Sequence, residues 1–171
     1  MSTTYTVPEW VKDTVFYQIF PDRFAPSDKD LEWRVVEDPF GFHGGDLNGA
    51  AEKLPYLAEL GINGVYMNPI FCSSAYHGYH TTDYFKVDPR FGGDEAFEEF
   101  LSTAHKLGIK VILDGVFNHT GIDFPHFKEM CEMGNQGWSH PNSDWYNIHS
   151  WPISTTSCNY DAWWGLSQLP K

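Results

Sequence analysis

The chain predicts an α/β fold built on parallel strands, and three observations carry that reading. Two stretches, YLAELGINGVYMNPI and STAHKLGIKVILDGVF, each close a helical pattern at Leu-Gly-Ile and then pass into an apolar run. A third apolar run, VFYQIF from Val15, lies upstream by the same interval that separates the other two. The runs are continuous rather than alternating, as expected of strands covered on both faces in a βαβαβ arrangement.

The first strand, at VFYQIF, ends in Pro21, Asp22 and Arg23. The helix after it has Leu54, Leu57 and Leu60 as its apolar stripe. Pro55 needs a first-turn position or a kink, which moves the expected start of that helix beyond Asn48. Gly61 is the expected left-handed cap, and the second strand ends at Asn68. YHGYHTTDYF then reads as a loop carrying Tyr76, His77, Tyr79, His80, Asp83 and Tyr84. The next helix is the clearer one. Asp94 is its expected N-cap, Glu95, Glu98 and Glu99 lie near its positive end, and Phe97, Phe100, Leu101, Ala104 and Leu107 recur at helical spacing before Gly108. The acidic face reads as solvated surface. The third strand, from Ile109, ends in DGVFNH with Asn118 and His119. After His119 this grammar stops. Residues 120–171 are rich in Trp, Pro, Asn, Ser and His, with one short helix expected around Phe124, Phe127, Met130 and Cys131, and long ordered excursions from a strand end are usually functional.

A chain of 171 residues suits one domain, or one domain with a subdomain. A formal net charge of −12 argues against nucleic acid or an anionic membrane as partner and leaves neutral or cationic ligands. Seven tryptophans and 17% aromatic residues exceed what a core of this size needs, so rings are expected in a cleft. Cys72, Cys131 and Cys158 are odd in number and widely spaced, matching neither a zinc pattern nor a disulfide framework, which predicts free thiols in a reducing compartment. No apolar run has the length of a membrane span, and MSTTYTVPEW lacks the layout of a signal peptide, so a soluble, cytoplasmic protein is expected.

In parallel α/β architectures ligands collect at the carboxyl ends of the strands, where this chain places Asp22, Arg23, Asn68, Asn118 and His119. Aromatic faces mixed with Asp, Asn and His suit a polyhydroxylated ligand, whose C–H faces lie on rings while its hydroxyls are hydrogen-bonded. His77 and His80 are closely spaced, but no further ligands accompany them, so a zinc site is not expected. Asp22 and Arg23 read as an internal ion pair, and Trp163 and Trp164 as either core or a sugar platform, with core packing favoured. Oxygen-rich chemistry at Asp28, Asp30, Gly44 and Asp46 offers a Ca²⁺ alternative to a solvated loop.

FYQIFPDRF, GGDL, LGINGVYMNPIF, HGYHTTDYF and DGVFNH, in that order, resemble the start of the catalytic domain of the α-amylase family of glycoside hydrolases. The closing QLPK resembles a motif near the end of the B domain in the neopullulanase and cyclomaltodextrinase branch. The resemblance implies the N-terminal portion of a (β/α)8 TIM barrel, its first three strands in residues 10–119, with an irregular B domain inserted after the third strand in residues 120–171. It implies an enzyme acting on α-1,4 and α-1,6 glucans such as starch, pullulan and cyclodextrins. By motif, Tyr79 would stack on the sugar at the scissile position and His119 would hydrogen-bond its hydroxyls. Asp83 and Tyr84 would shape the pocket, with His77 and Asn68 beside it. Asp114 would be structural, and Asn118 would help to hold a Ca²⁺ shared with the B domain. His80 departs from the Asp found in many close relatives.

Retaining hydrolysis needs a nucleophilic carboxylate and an acid about 5 Å apart. In the family these lie on the fourth and fifth strands, with a supporting Asp on the seventh. A barrel needs roughly 250 residues. The expectation is therefore a fragment without catalytic residues of its own, inactive alone, and self-associating through uncovered strand edges. The alternative is a stand-alone carbohydrate-binding module that uses the rim aromatics.

Overall fold

The computed structural model describes residues 6–31, 38–138, 143–156 and 159–171. A one-turn helix α1 (Glu9–Lys12) leads into β1 (Phe16–Ile19), a one-turn α2 (Pro21–Phe24) and the long α3 (Leu47–Glu59). Then come β2 (Gly64–Met67), β3 (Phe71–Ser73), β4 (Thr81–Val87), α4 (Gly93–Lys106), β5 (Lys110–Leu113) and α5 (Pro125–Asn135).

β1, β2 and β5 form a parallel sheet in that order, aligned so that Ile19, Met67 and Leu113 share one row. This is the βαβαβ arrangement read from the repeated Leu-Gly-Ile. At both repeats the glycine is left-handed, with φ of 89° at Gly61 and 72° at Gly108. The residue after it closes the helix, Ile62 N–H to Leu57 O at 3.0 Å and Ile109 N–H to Ala104 O at 2.9 Å. α3 and α4 pack on each other and on the sheet, burying Leu54, Leu57 and Phe100 with Ile19, Val65 and Met67.

Three local expectations are corrected. α3 begins at Leu47 and runs through Pro55, which sits on the exposed face; Asp46 is its cap, accepting from Gly49 N–H at 2.6 Å. Leu60 follows the last turn and is exposed, so the stripe ends at Leu57. At α4 the cap position belongs to Gly92, and Asp94 lies inside the first turn, where its carboxylate accepts Val87 N–H at 2.9 Å and ties the helix to the end of β4. Leu107 is also exposed.

Of the segment expected as a loop, residues 76–80 lie in the connection of an antiparallel β3–β4 pair and residues 81–85 belong to β4; the register is broken between Phe71 and Ser73. Thr81, Asp83 and Tyr84 therefore stand on a strand. Beyond β5 a separate cluster forms around Phe124, Phe127, Met130, Tyr146 and Tyr160, with α5 supplying Phe127 and Met130 at the expected spacing. It is fastened to the hairpin by Gly121 N–H to Thr81 O at 2.8 Å. Cys72 and Cys131 are free thiols; Cys158 lies outside the described residues.

Among the described residues, the sheet ends in strands with one neighbour each, β1 and β5. Val15 and Phe16 are exposed along one side and Ile112 along the other, while Phe85 and Phe117 are 97% and 85% exposed.

Candidate functional site

The aligned strand ends build one rim. The parallel ladder continues past the strands through Asn68 N–H to Ile19 O and Asp114 N–H to Met67 O, both at 2.9 Å, which brings the residues after all three strands to the same level. Asn68 is taken up there by its neighbour, its Oδ1 accepting from Gln18 Nε2 at 2.7 Å.

Asp22 is only 1% exposed, and it is fully partnered. It accepts from Arg23 Nε at 2.7 Å, His43 N–H at 2.9 Å and Gly44 N–H at 3.2 Å. A carboxylate so deeply buried is tolerated only with donors of this kind. Arg23 passes the constraint outward, donating to Pro39 O and Gly41 O and lying 4.5 Å over the Tyr76 ring. The GGDL motif fits against this turn: a Cβ on Gly45 would stand 2.1 Å from Pro21 O.

At the centre of the rim Asp114 accepts from the Tyr79 hydroxyl at 2.6 Å. The Tyr79 phenol is pushed well above its ordinary range, first by burial and then by this hydrogen bond. Tyr66, on β2, is raised as well, first by its own hydrogen bond to Asp114 and then by burial. Two phenols thus stay neutral donors aimed at one carboxylate, a positioning role that joins β2 and the turn at Tyr79 to the end of β5.

Tyr79 is also held by its backbone. Its N–H donates to His77 Nδ1 at 3.1 Å, and its carbonyl lies 3.1 Å from His119 Nε2. A carbonyl only accepts, so His119 carries its proton on Nε2, and Nδ1 is left to accept from Asn118 Nδ2 at 3.2 Å. Burial lowers the His119 pKa and favours this neutral tautomer; burial likewise lowers His77 and His80, with further contributions from His80 on His77 and His119 on His80. The rings of His77 and His80 are 4.9 Å apart, and His77 lies 5.8 Å from Tyr79. Tyr79, His77, His119 and Asp114 therefore converge.

Asp83 and Tyr84 do not join that group through their polar atoms. The Asp83 carboxylate turns onto its own strand and accepts Phe85 N–H at 2.8 Å. The Tyr84 hydroxyl meets Val116 O, with His119 O at 3.1 Å, pinning the segment after β5. Its ring instead lines a cavity of about 440 Å³ with Phe117, His119, Phe124, Trp145 and Tyr146.

Neither Ca²⁺ reading finds a cage. Asn118 is exposed and spends its amide on His119. Asp46 uses both carboxylate oxygens, one on Gly49 N–H and the other on Ser27 N–H and Oγ, and Asp28 accepts Asp30 N–H at 2.9 Å. Among the described residues no three His, Cys, Asp or Glu side chains gather as metal ligands. The donors near Asn118 and Asp46 do not fit a cation as they stand.

The sequence reading missed the partnership of Tyr66 with Asp114, and of its two alternatives for the tryptophans it favoured core, which does not hold for Trp164. Trp164 is 83% exposed, not core. It stacks on Trp163 at 5.3 Å and 18°, and Trp163 stacks on His119 at 6.1 Å and 22°. Trp164 also has φ of 52°, a left-handed backbone that costs a bulky residue about 1–3 kcal/mol. Nothing in WWG announces this.

As a whole the rim offers neutral donors, acceptors and ring faces. The carboxylate that reaches Tyr79 is already occupied by phenols, so these groups can grip and orient a hydroxylated ligand but hold no free acid and base pair.

Residues 18–165 match the family model described as the α-amylase catalytic domain. The "Intracellular maltogenic amylase" of Bacillus subtilis is 43% identical over 98% of this chain and 29% of its own length. "Neopullulanase 2" of Thermoactinomyces vulgaris is 42% identical over 94% of this chain and 28% of its own. Among solved structures, the ligand-free cyclic α-maltosyl-(1→6)-maltose hydrolase of Arthrobacter globiformis superposes with a TM-score of 0.88 at 35% identity, over 97% of this chain and 39% of that one. The chain thus spans less than a third of the curated relatives it matches, and by the family model it belongs to the α-amylase family of glycoside hydrolases, carrying part of the catalytic domain.

Proposed function

We propose that the chain forms one side of the substrate cradle of a retaining hydrolase of α-1,4 and α-1,6 glucans, with residues 10–119 as the first three strands of its barrel and residues 120–171 as the inserted B domain. The observation that carries the reading is the Asp114–Tyr79–His119 network at the carboxyl ends of parallel strands. It fixes a tyrosine ring beside an imidazole at the place where this architecture binds ligands. The Arthrobacter globiformis hydrolase, solved with maltose and with its cyclic substrate, agrees with a glucan ligand. In this reading Tyr79 offers its face to a glucose ring. A hydroxyl reaches His119 by displacing the exposed Asn118 amide from Nδ1. His77, Asn68, Asp83 and Tyr84 shape the surroundings. The nucleophile and acid are supplied by residues outside the rim described here.

The stand-alone binding module fits less well. A self-contained unit covers its sheet edges, whereas β1 and β5 leave theirs open and Phe85 and Phe117 lie bare. Those edges support self-association of the isolated chain. A Ca²⁺ at Asn118 draws on family likeness alone and has no part in the sugar contacts. A cytoplasmic location accords with free thiols at Cys72 and Cys131 and with the name of the Bacillus subtilis relative.

Calorimetry tests the reading. The purified chain is expected to bind maltooligosaccharides without releasing reducing sugar, and Tyr79→Ala is expected to weaken binding about 10-fold, the worth of one ring–ligand stack. Binding that survives Tyr79→Ala undiminished, or turnover of starch by the chain, contradicts it.

A further inference from the structure

We infer that Trp164, backed by Trp163, is a stacking platform for a glucose unit of an α-glucan lying beyond the unit held at Tyr79 and His119; this rests on the functional reading above. Four observations lead there. The platform is continuous with the rim, because His119 bonds to the Tyr79 carbonyl through Nε2 and stacks on Trp163, which in turn stacks on Trp164. A saccharide leaving Tyr79 by way of His119 meets these rings next.

The presentation is also fixed rather than loose. Trp163 and Trp164 sit at the tip of a small hairpin whose arms pair at Ala162 and Pro170. Trp163 N–H donates to Leu169 O at 3.0 Å, Gly165 N–H to Ala162 O at 3.1 Å and Leu166 N–H to Trp163 O at 3.0 Å. A ring held in place before the ligand arrives loses little freedom on binding.

The third observation is the cost. A left-handed residue at a hairpin tip is ordinarily Gly or Asn, yet here it is the largest side chain available, and most of its surface lies in solvent. Core packing does not account for it. Backbone outliers of this kind gather where a ligand is gripped.

Finally, the chemistry selects the ligand. The paired rings are nearly parallel, and the Lys171 ammonium lies 5.7 Å over Trp163. Flat apolar faces with an ammonium donor at hand suit the C–H face and hydroxyl rim of a sugar. A chain of net charge −12 has no electrostatic quarrel with a neutral one.

The test compares maltose with maltohexaose on the purified chain by calorimetry. Wild type is expected to favour maltohexaose by about 10-fold, and both Trp164→Ala and Trp164→Gly to bring that ratio close to unity, while Trp164→Phe keeps most of it. Trp164→Gly relieves the left-handed backbone, so it should melt no lower than wild type, and its loss of preference then cannot be laid to unfolding. Tyr79→Ala is expected to weaken both ligands together. A preference retained in Trp164→Ala and Trp164→Gly, or no preference in wild type, overturns the platform and leaves the rim reading in place. If wild type binds neither sugar, both fall.

Discussion

At the rim each polar side chain has a task set by its neighbours. Asp114 is the case to consider, because a carboxylate on a strand end in a member of a glycoside hydrolase family invites a catalytic role. Its partners, the Tyr66 and Tyr79 phenols, make it an acceptor that orients one ring, and the raised phenol pKa values are the electrostatic trace of that arrangement. His119 is tuned in the opposite sense. Burial holds its pKa, and those of His77 and His80, below the ordinary value. A depressed histidine contributes stability that is complete above the unfolded pKa of about 6.5 and is lost as the pH falls through the folded values. Protonating His119 also removes the lone pair that Nδ1 offers to Asn118. Thermal stability should therefore hold steady above about pH 7 and decline below about pH 6.5, and glucan affinity should fall only at the lower pH at which folded His119 is protonated. Parallel calorimetric and melting profiles check this, and an affinity that rises on acidification contradicts it. Much of this was legible in the residues, since polar groups at the ends of apolar runs mark a strand mouth. Which of them pair with each other was not, because Asp114 and Tyr79 are 35 positions apart and nothing local couples them.

Among the elements, those with a periodic signal and a stop signal were readable. Leu-Gly-Ile located both helix ends because a left-handed residue with no side chain is what the closing turn requires there. β3 was hidden by its brevity: three residues with a broken register leave no period to detect. Trp164 was hidden for another reason, since the hairpin that exposes it is closed by Leu169 and Pro170, distant from WWG in composition and character. Glycines separate into two kinds by what a Cβ would meet. At Gly108 there is open space, so Gly108→Ala is expected to cost only the left-handed penalty, about 1 kcal/mol. At Gly45 a Cβ meets the Pro21 carbonyl and the backbone of Asp22, neither of which can swing aside. Gly45→Ala is expected to cost about 3 kcal/mol, at the upper end of single substitutions, and to loosen the Asp22–Arg23 turn with it. Urea titration of the two variants reads the difference, and equal costs contradict the close-packing account of GGDL.

On the scale of the molecule, three parallel strands packed with α3 and α4 form an open sheet whose outer strands, β1 and β5, each have one neighbour among the described residues. The apolar side chains beneath the helices are buried, whereas Val15, Phe16 and Ile112 along the outer strands are exposed. Bare strand edges invite pairing with another chain, and the apolar side chains near them add hydrophobic drive. Sedimentation of the isolated chain is expected to show association that increases with concentration, and that is reduced when Phe85 and Phe117 are replaced by serine. A monodisperse monomer at all concentrations contradicts it. The net charge of −12 works against association at low ionic strength, so added salt should strengthen it. The architecture was readable as a set of repeats, but the openness of the edges came only from the resemblance to a larger barrel, because no local pattern says how many strands a sheet should have.

The central claim is that the strand mouths at Tyr79 and His119 form a glucan-binding surface. Amide chemical shifts of the chain, followed as maltohexaose is added, test it most directly. The account predicts that the largest changes cluster from His77 to His80 and from Asn118 to Thr120, and reach the Trp163–Trp164 tip. Changes confined to the outer faces of α3 and α4, or no saturable change at all, would contradict it.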